Sequence, residues 1–331
     1  MAVVKKNDKE TVVIDTRLVR GRFGKIVEEK YEIKIEDEQL EKKEDISDFY
    51  KPVKEAVVKA IENIEKEYKT IDSLEKSFLI TGIKNFNLHN GDFIVLGARP
   101  SIGKTAFALS LLSHLSVEQK IPTGYITCGD TDFGRIGQRL ISIKSGVAYQ
   151  KIRCGMLNID DVKEVQNAAS QIFESPLFIH DMPNIMFAEL EMTARMMVQE
   201  QNAKLIVVDS FEYLQEIVDA KEDEYRFDLE DLLNEFKKMA KELKVPVVLL
   251  MNMPLSEDGI EPNLGDFSKY MIIPRLADSV MFLHRERCKS ADEIPDCKLI
   301  IAKSEKGFCH DINIRFSPQI AGFIFDKTVS E

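Results

Sequence analysis

Cysteine is sparse in this chain and never clustered: five among 331 residues, at Cys128, Cys154, Cys288, Cys297 and Cys309, with no Cys-x-x-Cys pair. Zinc and disulfide frameworks need clustered cysteines, so neither is expected, and the thiols read as reduced ones in a cytoplasmic protein. No apolar run reaches the ~20 residues that span a bilayer. No stretch has the basic start, apolar centre and small-residue cleavage site of a secretory signal, so no membrane partner is expected. Basic charge is also in deficit: 45 Lys and Arg against 56 Asp and Glu give a formal net charge of −11. A module that holds nucleic acid by neutralising phosphates shows a basic face, and this balance disfavours one. A basic strip confined to a channel would escape that argument.

With 44% hydrophobic residues, the chain can bury a full core as one large domain or one domain with an appendage. Its character changes near residue 75. Residues 1–45 form a charged segment in which Thr11-Val12-Val13-Ile14 and Tyr31-Glu32-Ile33-Lys34-Ile35 have strand character, with Gly21 and Gly24 between them. This segment reads either as a small hairpin or as a tail without structure, because so little of it can be buried. In residues 46–73, Val53, Val57, Ala60, Ile61, Ile64 and Tyr68 recur at helical spacing behind an N-cap at Ser47 or Asp48. That pattern predicts an amphipathic helix over 52–68. Its apolar stripe packs either on its own domain or on a neighbouring subunit.

Residues 74–331 read as one α/β domain. Residues 93–96, 124–127, 177–179, 205–208, 247–250 and 280–283 are continuous apolar runs, the pattern of strands buried on both faces. Helical stretches such as 105–114 and 229–243 alternate with them. That order predicts a mainly parallel central sheet with helices on both faces. Residues 299–302, 312–316 and 322–325, joined by short turns, predict antiparallel strands at one edge. Met192, Met196 and Met197 read as core, His180-Asp181 as a capped loop, and Glu222-Asp223-Glu224 as a solvated loop.

One segment carries chemistry. The run ending at Gly97 is followed by Ala98-Arg99-Pro100-Ser101-Ile102-Gly103-Lys104-Thr105 and then a helix. This is the Walker A pattern with Ala98 in the first glycine's place. Backbone N–H groups of such a loop and the next helix N-terminus wrap phosphates. Ala98, Arg99, Ser101, Gly103, Lys104 and Thr105 are therefore the candidate nucleotide-binding residues for ATP, with Lys104 reaching the β- and γ-phosphates and Thr105 a ligand to Mg2+. Asp209, closing the run 205–208, is the second candidate metal ligand. Asp130, after the strand 124–127, stands where RecA-like ATPases place a water-activating Glu. An Asp there is one methylene shorter, and a plain turn or cap residue reads equally well.

These residues resemble one family, the C-terminal motor domain of DnaB-type replicative helicases, a RecA-like P-loop NTPase fold. The likeness covers 74–325. It rests on Thr81-Gly82-Ile83 leading into 91–105, on Gln138-Arg139-Leu140 and 150–155, on Val207-Val208-Asp209 with Tyr213-Leu214-Gln215, on 240–248, and on Ile300-Ile301-Ala302-Lys303 followed by Gly307. The resemblance implies an ATP-driven motor that translocates on single-stranded DNA as a homo-oligomeric ring, a hexamer in the family. It implies that helix 52–68 docks on the adjacent subunit, that Asn252 is a sensor residue, and that Lys303 acts on a neighbour's phosphates.

The departures bear on activity. The water-activating Glu is Asp130, the sensor Gln is Asn252, and the finger's Arg is Glu305, with Lys306 beside it. The family's DNA-contacting loop reads Ser268-Lys269-Tyr270-Met271, and residues 1–45 stand in place of the family's N-terminal domain. Lys269, Lys144 and the Lys289 region are the candidate DNA contacts. A trans Arg contributes about 10³-fold or more in rate. Two readings therefore stand: a working helicase motor, or a catalytically degenerate nucleotide-binding subunit that joins or regulates a helicase or replisome partner. A recombinase or circadian-type ATPase shares the core but not the runs 98–105 and 244–248.

Overall fold

In the computed structural model the backbone is described for residues 3–7, 10–20, 26–36, 53–70, 77–129, 132–214, 216–217, 229–255, 259–267, 271–286 and 295–325. The chain divides after Glu75 into two units. In the first, β1 (Val3–Asn7), β2 (Glu10–Arg20) and β3 (Ile26–Glu36) form an antiparallel sheet in which Val13 pairs with Ile33. Gly21 and Gly24 lie outside the described residues. Helix α1 (Val53–Thr70) follows. Val53, Val57, Val58 and Ile61 on it are exposed.

The second unit opens with a two-stranded ladder, β4 (Phe78–Ile83) and β5 (Phe86–His89), which the sequence reading did not predict. Then come β6 (Phe93–Ala98), α2 (Lys104–Leu112), β7 (Thr123–Thr127), α3 (Phe133–Ser145), α4 (Tyr149–Cys154), α5 (Ile159–Phe173), β8 (Leu177–Asp181) and α6 (Phe187–Gln201). The order finishes with β9 (Ile206–Asp209), α7 (Leu229–Leu243), β10 (Val247–Asn252), α8 (Ile272–Leu276), β11 (Ser279–Arg285), β12 (Asp296–Ser304), β13 (His310–Ser317) and β14 (Gly322–Ile324).

Nine strands form the central sheet in the order β14-β13-β12-β11-β6-β10-β9-β7-β8. The six from β11 to β8 are parallel, and β12, β13 and β14 run antiparallel at one edge. Successive side chains of a strand point to opposite faces. Accordingly Phe93, Val95, Val208 and Leu249 join one core with Phe236, Met239 and Leu190, while Ile94, Leu96, Val207 and Leu250 join the other with Phe107, Leu109 and Leu112. Two cores fed by alternate residues are why these strands read as unbroken apolar runs.

β8 departs from that expectation. It is the outermost parallel strand, its first four residues are half-buried, and it ends in His180 and the exposed Asp181 rather than giving them to a loop. Met192 and Met196 are also not core: they are 58% and 49% exposed, and only Met197 is buried. They stand on the side of α6 turned away from the sheet. Residues 222–224 lie outside the described residues. Among the described residues, no helix is long and apolar enough to cross a membrane.

Candidate active site

A buried strand that stops and turns into a helix must reverse its backbone within a few residues. β6 does so through left-handed conformations at Ser101 (φ 67°) and Gly103 (φ 111°). Glycine is required at 103, because that φ strains an L side chain and a Cβ there would sit 3.4 Å from the Phe323 ring. Helix α2 then starts at Lys104 with no acidic residue in its first turn, so its positive end is left for an anion. A cavity of about 340 Å3 opens at this point. Ser101, Gly103, Lys104, Thr105 and Ala106 line it, with Arg139 of α3, Arg285 of β11 and Phe316 of β13.

The strands flanking β6 complete the site. β10 pairs directly with β6, register Asn252 against Ala98, and this places Asn252 Oδ1 2.5 Å from Lys104 Nζ, which donates to it. β9 lies beyond β10. The Thr105 hydroxyl donates to Asp209 Oδ2 at 2.6 Å, and the buried Tyr125 hydroxyl donates to the same oxygen at 2.8 Å. Burial lowers the pKa of the Lys104 ammonium, while the carboxylates of Glu212 and then Asp209 act to raise it. Burial and the Asp209 charge push the Tyr125 phenol far above its ordinary value, so it stays a donor. Magnesium takes hard oxygen ligands, with few supplied by protein. A hydroxyl and a carboxylate in contact are such a set, so Thr105 and Asp209 fit that ion.

Two of the candidate nucleotide-binding residues do not line this cavity. Ala98 is buried as the last residue of β6, its carbonyl accepting from Met253 N at 2.9 Å. The Arg99 guanidinium turns away, donating to the Ile260 carbonyl and lying 3.9 Å from Asp266, and it lines a separate cavity of about 300 Å3 with Pro100, Leu255 and His284. Asp130 lies outside the described residues, as do Lys269 and Lys289. Lys144 is paired with Glu118 at 3.5 Å.

Lys303 lies at the other end of the sheet. It sits opposite Val280, which pairs with Val95, and its Nζ donates to the Ala277 carbonyl at 2.6 Å and meets Glu305 at 3.2 Å. Lys306 Nζ pairs with Asp92 Oδ1 at 2.5 Å.

Sequence reasoning missed three residues here. Arg285 closes β11, donating from Nε to the Ile102 carbonyl at 2.7 Å and from Nη2 to the Ser101 carbonyl at 2.9 Å. Its guanidinium carbon lies 4.4 Å from the centre of the Phe316 ring. A cation ending an apolar strand run was the available signal. Arg139, stacked 5.2 Å over Tyr149, gave none beyond the family likeness. Glu212 lies in the short turn after β9. One of its carboxylate oxygens, Oε1, accepts from the Asn252 backbone N–H, and the other accepts from the Ser210 hydroxyl at 2.8 Å.

Comparison with known proteins agrees with this architecture. The DnaB-like helicase C-terminal domain matches residues 80–324. The replicative DNA helicase DnaB of Treponema pallidum (strain Nichols) is 31% identical over 279 residues, covering 83% of this chain and 62% of its own length. That of Leifsonia xyli subsp. xyli (strain CTCB07) is 29% identical, covering 83% and 61%. The chain thus spans about three fifths of the length of these curated relatives. In fold it is similar to the solved structure of a DnaB-like replicative helicase, with a TM-score of 0.66 at 21% identity, covering 87% of this chain and 74% of that one. With its phosphate loop, flanking strands and antiparallel edge in place, the chain belongs to the DnaB-like helicase C-terminal domain family.

Proposed function

We propose that this chain is an ATP-driven replicative helicase motor that works as a homo-oligomeric ring on single-stranded DNA. The observation that carries it is that Lys104 and Thr105, lining one cavity at the start of α2, are hydrogen-bonded to Asn252 of β10 and Asp209 of β9, the two strands next along the sheet from β6. A degenerate loop has no reason to keep both the hydroxyl–carboxylate pair and a polar partner for the lysine.

The residues divide the work. Backbone N–H groups at the start of α2 hold the β- and γ-phosphates. Lys104 leaves Asn252 for the terminal phosphate and balances the charge that builds there as its bond breaks. Thr105 and Asp209 would hold Mg2+, whose charge would neutralise phosphate oxygens. Arg285 fixes the two loop carbonyls that would otherwise be free to shift, and so presets the loop for the nucleotide. Asn252 reports the terminal phosphate to β10. Helix α1, with Val53, Val57, Val58 and Ile61 exposed, docks on the next subunit of the ring.

The test is steady-state phosphate release by the purified chain, with and without single-stranded DNA, beside Lys104→Ala. DNA-stimulated turnover that disappears in the variant supports the motor. Nucleotide bound without turnover above the variant's level rejects it.

A further inference from the structure

Hydrolysis needs a group that takes the proton of the attacking water, and the candidate named from the sequence, Asp130, follows β7. The strand order from the phosphate loop outward is β6, β10, β9, β7. Asp130 itself lies outside the described residues, and its side chain is one methylene shorter than a glutamate's. Glu212 follows β9, which pairs with β10 beside the phosphate-loop strand. We infer that Glu212 is the carboxylate that receives this proton, an assignment that rests on the triphosphatase reading above.

Its position carries the argument. Glu212 Oε1 accepts from the backbone N–H of Asn252, the residue whose side chain holds Lys104 Nζ at 2.5 Å. Oε2 accepts from the Ser210 hydroxyl at 2.8 Å. A carboxylate offers about four acceptor sites, so two fixed bonds orient the group and leave a lone pair on each oxygen for water. The side chain is half-buried, which keeps it within reach of solvent. Asp209 is not free for the task, since one of its oxygens already takes both Thr105 and Tyr125.

A second consideration points the same way. A carboxylate this close to the phosphate-binding lysine repels a polyanion, so its presence weakens nucleotide binding. Holding Asn252 alone would need only an uncharged acceptor. A base needs the charge.

The step balances without an added reagent. The water oxygen forms a bond to the γ-phosphorus of the nucleoside triphosphate. The bond from that phosphorus to the β,γ-bridging oxygen breaks, and its electron pair leaves on the diphosphate. The water proton passes to Glu212 and then to solvent, regenerating the carboxylate.

The experiment uses the full chain and two readouts: binding of a fluorescent non-hydrolysable ATP analogue, and steady-state phosphate release. Glu212→Gln preserves an acceptor for Asn252 N–H and removes the base. It is expected to bind the analogue as tightly as the unsubstituted chain or several-fold tighter, while turnover falls about 100-fold or more. Glu212→Ala is expected to regain turnover when formate is added, which a scaffolding role would not produce. Turnover of Glu212→Gln within about twofold of the unsubstituted chain overturns the assignment. So does loss of turnover in Asp130→Asn with no formate rescue of Glu212→Ala. An unsubstituted chain that binds the analogue and releases no phosphate overturns the triphosphatase reading itself, and this assignment with it.

Discussion

Asp209 Oδ2 accepts from two hydroxyls, and the two have different reasons to be there. Thr105 brings the carboxylate to the phosphate loop, and Tyr125 holds it from the core side. Asp209→Asn keeps an acceptor for both but removes the charge a cation needs. The expected result is a Mg2+ requirement for analogue binding shifted to about tenfold higher concentration or more, read by titration. Tyr125→Phe loses one hydrogen bond and keeps the ring, so it should destabilise the fold by about 1 kcal/mol in urea unfolding.

A second acidic residue governs stability rather than chemistry. Asp278 is 4% exposed. Burial opposes its ionisation, yet the Lys237 ammonium at 2.7 Å and the Phe93 N–H at 2.9 Å prevail and hold its pKa below the ordinary 3.8. A carboxyl whose folded pKa is depressed contributes stability that is present above its unfolded pKa and lost as pH falls through the folded one. Removing the lysine leaves a buried, unbalanced charge. Lys237→Met is thus expected to destabilise the protein by about 3 kcal/mol at pH 7, with the difference from the unsubstituted chain shrinking as pH falls through the depressed folded pKa and the carboxyl is protonated. Paired denaturant titrations at neutral and acid pH check it. Nearby Asp92 is shifted the other way, raised by burial with Lys306 only partly offsetting it.

At the scale of elements, the phosphate loop is held from outside itself. Arg285 at the end of β11 grips the Ser101 and Ile102 carbonyls and rests on Phe316 of β13, so the antiparallel edge reaches back to the loop through one side chain. Arg285→Ala should weaken analogue binding about tenfold. Arg285→Lys should not restore it, because an ammonium lacks the planar fork that spans two carbonyls. Fluorescence titration separates these outcomes.

The sequence made this scaffold legible wherever local chemistry was decisive. Residues 93–96 and 205–208 announced strands buried on both faces, and Gly103-Lys104-Thr105 announced the loop that follows the first of them. Position across the sheet was not legible. The run 177–179 is as apolar as a central strand, yet β8 is an edge, since order in the sheet is set by crossovers and not by composition. For the same reason Glu212 was passed over: its closeness to Lys104 comes from the pairing of β9 with β10, which separates residues 40 apart in sequence by one hydrogen bond. Arg99 shows a second limit, because a pattern fixes where the backbone goes and not where a long side chain turns.

For the whole molecule, the proposed ring puts its subunit contact on α1. Placing glutamate at Val57 and Ile61 should reduce the assembled form to single chains in light scattering, with analogue binding by the second unit kept. The net charge of −11 predicts weak binding to single-stranded DNA in the absence of nucleotide. Binding promoted by the non-hydrolysable analogue should weaken steeply as salt rises.

Lys303 and Lys306 add a consequence of their own. They cluster where β6 begins, beside Asp92 and Ala277, whereas the phosphate loop starts where β6 ends. For Lys306, beside Asp92, the six residues between are roughly 20 Å at about 3.3 Å per residue, far beyond the reach of a lysine; Lys303 stands level with Val95, and its ammonium turns the other way, to the Ala277 carbonyl. Neither ammonium can attend to the nucleotide of its own chain. If they serve any phosphate it belongs to another copy, and each chain is then half of two workplaces. Specific activity per chain would fall on dilution, and a mixture of Lys104→Ala and Lys303→Ala chains, each idle alone, would recover part of the work.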